Sequence, residues 1–256
     1  MLAGCAGLLA GPKLAYTGLR GKDPRLGAIV TVTRREGAER MQDRVRARVR
    51  YQTSQPQPNG LQASDEGLWV IDQRNGNMYC MRYEDGEILE LVPTRAVHAS
   101  GITMDADGSL WVASTFSLEL LNVDRRTGRV LRRLPTPGAG RSGAHGLEFV
   151  DGRLWVAVPP SATIYALDPA SGRVLHSFPA PGNRPHGLAW DGETLWVAET
   201  NHQAIYRYDP RDGRLLEKIT VEGPEVHGMT MRDGIIWYCD ATTRSVCTVD
   251  LGETAR

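Results

Sequence analysis

The sequence predicts an all-β fold, a five-bladed β-propeller closed by an N-terminal outer strand. Three observations predict it. Trp69, Trp111, Trp155, Trp196 and Trp237 recur at intervals of 42, 44, 41 and 41 residues. Around each, β-branched or aromatic runs of 4–7 residues alternate with turns rich in Gly, Asp and Pro, which is the pattern of antiparallel hairpins. A period of roughly 40 residues holding four such runs marks a propeller blade.

Each unit opens its first strand with X-Gly: NGLQA, SGITM, HGLEF, HGLAW and HGMTM. An Asp/Gly-rich turn leads to the tryptophan strand, GLWVID, SLWVAS, RLWVAV, TLWVAE or IIWYCD. The third strand ends in Asp in the later units (LLNVD, IYALD, IYRYD, VCTVD), and a TGR, SGR or DGR turn with a last strand such as RVLHSF completes three units. The tryptophans are expected to pack between neighbouring blades, where so large an apolar side chain is buried. The fifth unit stops near Leu251 without an outer strand. RVRARVRYQT, residues 44 to 53, alternates at period two and can supply it, with Arg46, Arg48 and Arg50 facing water and Val45, Ala47, Val49 and Tyr51 facing the sheet. A helix over Glu39 to Arg50 is the alternative, and it would leave blade five with a raw edge. The propeller is therefore placed at residues 44–256, after an extension at 1–43 in which AIVTVT (28–33) reads as a strand.

Thirty basic and thirty acidic residues cancel, so no general attraction to nucleic acid or anionic membrane is expected. No apolar run approaches the ~18 residues of a bilayer span. The cysteines, Cys5, Cys80, Cys239 and Cys247, have no CxxC spacing. Cys239 and Cys247 could face each other across a hairpin, but small reduced apolar fillers are the favoured reading. LAGC near the start resembles a lipoprotein cleavage box yet lacks the basic and apolar regions that precede one, so a cytoplasmic location is favoured over a processed lipoprotein.

Candidate site residues come from aligning the units. The X-Gly station carries Asn59, Ser100, His145, His186 and His227, and each histidine stands ten residues before its tryptophan. In a propeller this station lies where the first strand enters the channel, so three imidazoles are placed around one axis. Three neutral imidazoles with an open position suit a transition metal such as Zn, Fe, Cu or Ni. The bland alternative is a polar residue capping the turn, with His one choice among Asn, Ser and His. Three residues after each Trp stand Asp72, Ser114, Val158, Glu199 and Asp240. Glu199 and Asp240 are candidate proton-transfer groups or supports for the histidines; carboxylates bonded to turn N–H groups are the alternative. Glu148 occupies a mostly polar inner-strand station, shared with Gln62, Thr103, Ala189 and Thr230, and is a third candidate acid or base. Asn59, Ser100, His98, Arg141, Arg184 and His202 are candidate substrate contacts at the rim, the arginines for an anionic group.

RPHGLAWDGETLWVAETNHQAIYRYDP closely resembles a blade of the virginiamycin B lyase family and is similar to the wider gluconolactonase/SMP-30-like and NHL propellers. The likeness covers residues 59 to 250. It implies a channel histidine and a glutamate working with a divalent metal in a ring-opening elimination, and it would favour His186 and Glu199 for those roles. The chain departs from those families in having five tryptophan units. The five-bladed plant-type glutaminyl cyclases are another relative by architecture.

Together these readings predict a metal-dependent lyase or hydrolase acting on a small molecule, cyclic peptide or lactone, as a monomer or small homo-oligomer. A non-catalytic scaffold that binds a ligand or protein on its loop face, and an oxidative iron or copper enzyme, are the alternatives.

Overall fold

The computed structural model describes residues 40–252. The AIVTVT segment, LAGC and Cys5 lie outside them. Two strands come first, β1 (Arg40–Arg46) and β2 (Arg48–Gln52). Blade one is β3 (Pro58–Ala63), β4 (Leu68–Asp72), β5 (Asn77–Met81) and β6 (Ile88–Pro93). Blade two is β7 (Ala99–Met104), β8 (Leu110–Ser114), β9 (Glu119–Val123) and β10 (Val130–Pro135). Blade three is β11 (Leu147–Val150), β12 (Arg153–Val158), β13 (Thr163–Leu167) and β14 (Val174–Pro179). Blade four is β15 (Pro185–Trp190), β16 (Leu195–Glu199), β17 (Ala204–Tyr208) and β18 (Leu215–Glu222). Blade five is β19 (Met229–Arg232), β20 (Ile235–Cys239) and β21 (Ser245–Asp250), completed by β2. In blades one to four these strands follow chain order as an antiparallel sheet, in blade five β2 takes the outer edge beside β21, and β19 packs on β3 to close the ring.

β2 pairs antiparallel with β21 through Arg48–Thr248, Val49–Cys247, Tyr51–Val246 and Gln52–Ser245, so the N-terminal outer strand does close blade five. The stretch 44–53 is not one strand, however. It breaks at Ala47, whose N–H bonds to the Glu222 carbonyl, and β1 runs parallel to β18 as a fifth strand on blade four. The alternation also slips. A bulge between Val49 and Tyr51 leaves Val49 53% exposed and lays Arg50, itself still exposed, over blade five, its guanidinium 5.6 Å from the Trp237 ring centre. One extra residue in a strand exchanges its faces, and the indole offers the cation a cation–π contact.

Five apolar clusters hold the blades together, and each contains one repeat tryptophan. Trp69 packs with Ile102, Leu110 and Val112 of blade two. Trp111 packs with Leu147, Leu154 and Val156 of blade three. Trp155 meets Leu188 and Val197 of blade four, and Trp196 meets Met229 and Ile236 of blade five. Trp237 returns to Leu61, Leu68 and Val70 of blade one.

The repeated glycine has a steric cause. A Cβ on Gly60 would stand 2.5 Å from the Ser100 carbonyl oxygen, and one on Gly187 2.6 Å from that of His227. On Gly101, Gly146 and Gly228 it would overlap the carbonyls of His145, His186 and Asn59. Five inner strands therefore close around the axis only where the side chain is absent, leaving a void of about 10 Å³ at that level. Cys239 and Cys247 are free: Cys239 pairs with Val246 and Cys247 with Tyr238, so their side chains point to opposite faces of blade five. Among the described residues no helix is long and apolar enough to cross a membrane.

Candidate functional site

Above the glycine ring the channel opens into a cavity of about 370 Å³. It is lined by Gln57, Asn59, Gln73, His98, His145, Pro159, Arg184, His186, Glu225, His227, Ala241 and Thr242. Four of the five X-Gly residues, Asn59, His145, His186 and His227, line it because β-strand geometry aims them across the mouth from neighbouring blades. The ring centres of His145 and His186 lie 4.3 Å apart, those of His186 and His227 4.8 Å, both edge to face. The imidazoles thus run in a row along blades three, four and five.

Burial sets their charge. It pulls His145 down to about 3, helped by the nearby His98, Arg184 and His227. It holds His186 well below the usual imidazole range, and neighbouring His145 and His227 add to the effect. His227 is also lowered by burial, with Glu225 opposing. At neutral pH all three are uncharged, the form that binds metal or accepts a proton. The Nδ1 atoms of His145 and His227 and the Oδ1 of Asn59 are buried without a hydrogen-bond partner. Buried polar atoms are normally paired, so these three at one station are free to take a ligand or an ion.

One carboxylate cluster joins this row. Ligand atoms of Glu225, His227 and Asp240 lie within 4.8 Å of one another, and Glu225 Oε2 is 3.9 Å from His227 Nδ1. Arg184 pairs with Glu225 Oε1 at 3.2 Å and so ties blade four to blade five across the rim. Glu225 was missed in the sequence, although EVHG carried the signal: residues two apart on an extended segment share a side.

In four of the five units the station three residues after the tryptophan works as a loop fastener; Val158 of blade three has no polar group for it. Asp72 accepts the N–H of Gln57 at 2.6 Å, Ser114 that of Val97 at 2.8 Å, and Asp240 that of Glu225 at 3.1 Å. Both Glu199 carboxylate oxygens accept the Arg184 N–H, at 3.1 and 3.0 Å. Burial raises the Glu199 carboxyl above its ordinary value, and this N–H opposes the rise. Asp72 and Asp240 also each accept two N–H bonds from the turn that follows. Glu199 therefore sits behind the leading loop of blade four and does not line the cavity, whereas Asp240 fastens its loop and joins the Glu225–His227 cluster.

The other candidates disperse. Ser100 is buried beneath the mouth, where its Oγ accepts from Thr115 at 2.9 Å and Gln73 at 3.3 Å. Arg141 is exposed on its loop, away from the cavity lining. His202 is exposed and its Nδ1 lies 2.9 Å from the Tyr206 hydroxyl. Glu148 lies deeper in a blade-to-blade polar layer. There the Thr103 hydroxyl donates to Gln62 Oε1 at 2.7 Å, and the Phe149 and Ala63 N–H groups donate to the hydroxyls of Thr103 and Thr230. Burial pushes the Glu148 carboxyl up to about 8, against bonds from Phe149 and Thr103, so it is protonated at neutral pH.

The solved structures most informative about this geometry are propellers. Myxococcus xanthus glutaminyl cyclase is 13% identical, with a TM-score of 0.67 over 80% of this chain and 97% of that one. A streptogramin B lyase is 21% identical (TM-score 0.51; 75% and 64%). A catalytically inactive Staphylococcus aureus virginiamycin B lyase, solved with quinupristin, is 19% identical (TM-score 0.53; 76% and 66%). In fold, this is a virginiamycin B lyase-like β-propeller. The propeller spans about two thirds of the length of the lyases and nearly all of the cyclase. A family model described as outer membrane protein assembly factor BamB matches residues 160–256. No curated protein matches the sequence.

Proposed function

We propose that this virginiamycin B lyase-like propeller is an enzyme that binds a divalent metal at the channel mouth and acts there on a small molecule or peptide. The observation that carries the reading is the row of uncharged imidazoles lining a polar cavity, two of which, His145 and His227, have a buried Nδ1 without a hydrogen-bond partner. The donor set fits a metal: two carboxylates and an imidazole already gathered, with His186 and His145 beside them. Glu225, His227 and Asp240 would hold the ion, which when bound supplies Lewis-acid polarisation of a substrate carbonyl.

The chain's own groups then have separate tasks. Arg184, held by Glu225 and with its N–H fixed by Glu199, presents a guanidinium to an anionic or carbonyl group. His186, kept neutral by burial, accepts a proton from the bound molecule. Asn59 Oδ1 accepts a hydrogen bond from a substrate N–H. In ring-opening elimination His186 would take the proton from carbon while the expelled carboxylate leaves against Arg184; hydrolysis would add a water whose proton His186 takes and returns to the leaving group. The likeness to glutaminyl cyclase over nearly its full length favours a second reading, ring-forming acyl transfer at a glutaminyl group, served by the same polarisation and proton transfer.

The test is metal content of protein purified without a histidine tag, measured by ICP mass spectrometry beside Asp240→Asn and a His145→Ala/His186→Ala/His227→Ala triple variant. Near-stoichiometric zinc, iron, copper or nickel in the parent, lost in both variants, supports the enzyme. A parent that is metal-free and refuses added metal moves the reading to a non-catalytic scaffold binding its ligand on the loop face.

A further inference from the structure

Blade two departs from the repeat at the mouth. In blades one, four and five the fastened loop residue stands two positions before the X-Gly residue: Gln57 before Asn59, Arg184 before His186, Glu225 before His227. In blade two the fastened residue is Val97 and the station residue is Ser100, three positions on. The extra residue is His98, and its φ is 56°. A left-handed backbone is unfavourable for a non-glycine residue, and such an insertion beside a site re-aims a side chain. Here the re-aimed imidazole lines the cavity.

That imidazole lies flat on Phe116, with ring centres 3.9 Å apart and planes 4° from parallel. Phe116 is nevertheless 57% exposed, and Val97, whose carbonyl accepts the Phe116 N–H, is 52% exposed. The other exposed large apolar residues, Val49, Leu89, Leu91, Leu131, Val174 and Leu175, belong to outer strands β2, β6, β10 and β14. The mouth is thus two-sided: apolar and aromatic at blade two, charged through Arg184 and Glu225 at blades four and five.

We propose that His98, Phe116 and Val97 form a subsite for a flat aromatic group of the substrate, whose polar end lies among the imidazoles. This deepens the enzyme reading and rests on it. A ring stacked on one face of Phe116 leaves the other face for offset stacking with a second ring, and Val97 borders it with an aliphatic surface. An aliphatic ligand would gain from burial alone and would not need the inserted residue or the parallel stack.

The chain holds three phenylalanines, Phe116, Phe149 and Phe178, so protein labelled with 4-fluorophenylalanine gives three ¹⁹F resonances, and Phe116→Leu assigns one. Phenylacetamide and acetamide are the probes, titrated into the metal-analysed protein. Phenylacetamide should shift the Phe116 resonance saturably, leave Phe178 unmoved and bind about tenfold tighter than acetamide. His98→Gly keeps the left-handed backbone without the ring and should weaken phenylacetamide about tenfold while leaving metal content unchanged. A silent Phe116, equal binding of the two amides, or indifference to His98→Gly overturns the subsite. If the protein holds metal and Phe116 is silent, the subsite fails and the enzyme reading stands. A metal-free protein that binds phenylacetamide at Phe116 sinks the enzyme reading and keeps the subsite.

Discussion

The junctions between blades and the mouth of the channel are built from the same repeat and obey different rules. At the junctions every unit contributes the same thing: one buried tryptophan, one apolar cluster, one glycine against the next carbonyl. At the mouth the units differ, with Asn59, Ser100, His145, His186 and His227 at one station. A constraint that recurs in each blade selects the same residue in each blade. Variation on that background shows where the ring's geometry leaves the choice open. The histidines and Glu225 fall in the second category; the fastening station lies between the two, a carboxylate at Asp72, Glu199 and Asp240, a hydroxyl at Ser114 and no polar group at Val158.

The largest expected effect separates the two. Trp196→Ala opens a cavity in the junction of blades four and five and should cost about 3–5 kcal/mol by urea unfolding. His186→Ala removes a ring held neutral by burial beside unpartnered atoms, and should change stability by less than about 1 kcal/mol. The two variants compared at pH 7.5 decide the matter. Equal losses would make His186 part of the architecture and not part of a site.

How much of this was legible in the sequence follows the same division. The tryptophan period exposed the fold because one packing requirement was written five times, and the fifth unit's missing strand pointed to the N-terminal segment. The break at Ala47 and the bulge at Val49 were not legible, since a parallel pairing to β18 leaves no signature of its own in an alternating stretch. In the site, the aligned station located the three imidazoles, and structure places them at one cavity. Spacing could not show that Glu199 turns toward a loop N–H while Asp240 reaches the Glu225–His227 cluster, because both occupy the same strand position. The difference lies in side-chain length and in which residue leads the loop.

A second effect sharpens the comparison through pH. Glu148, in the polar layer below the mouth, has a folded-state value of about 8, above its unfolded range. Its stabilising contribution is therefore fully present below about pH 4.5 and is lost as pH rises through 8, at up to roughly 1.4 kcal/mol per pH unit. Unfolding measured from pH 5 to 9 should show wild-type stability falling relative to Glu148→Gln, with the gap levelling above pH 8. Parallel curves would mean that the carboxyl does not titrate in this window, and that its layer is fixed by Thr103, Gln62 and Thr230 alone.

The smallest effect is the most discriminating. Asp72 and Asp240 hold equivalent positions, and each accepts one N–H from its leading loop and two from the following turn. If fastening were the whole role of both, Asp72→Asn and Asp240→Asn should cost the same, about 1 kcal/mol, since an amide oxygen still accepts but without the charge-assisted strength. Only Asp240 stands beside Glu225 and His227. Replacing it should therefore remove bound metal, and with it the extra stability that ligand binding confers on the folded state, while Asp72→Asn keeps both. Thermal melts of the pair with and without EDTA read this directly. A chelator-dependent difference between the variants assigns Asp240 a second task, and identical behaviour returns it to the fasteners.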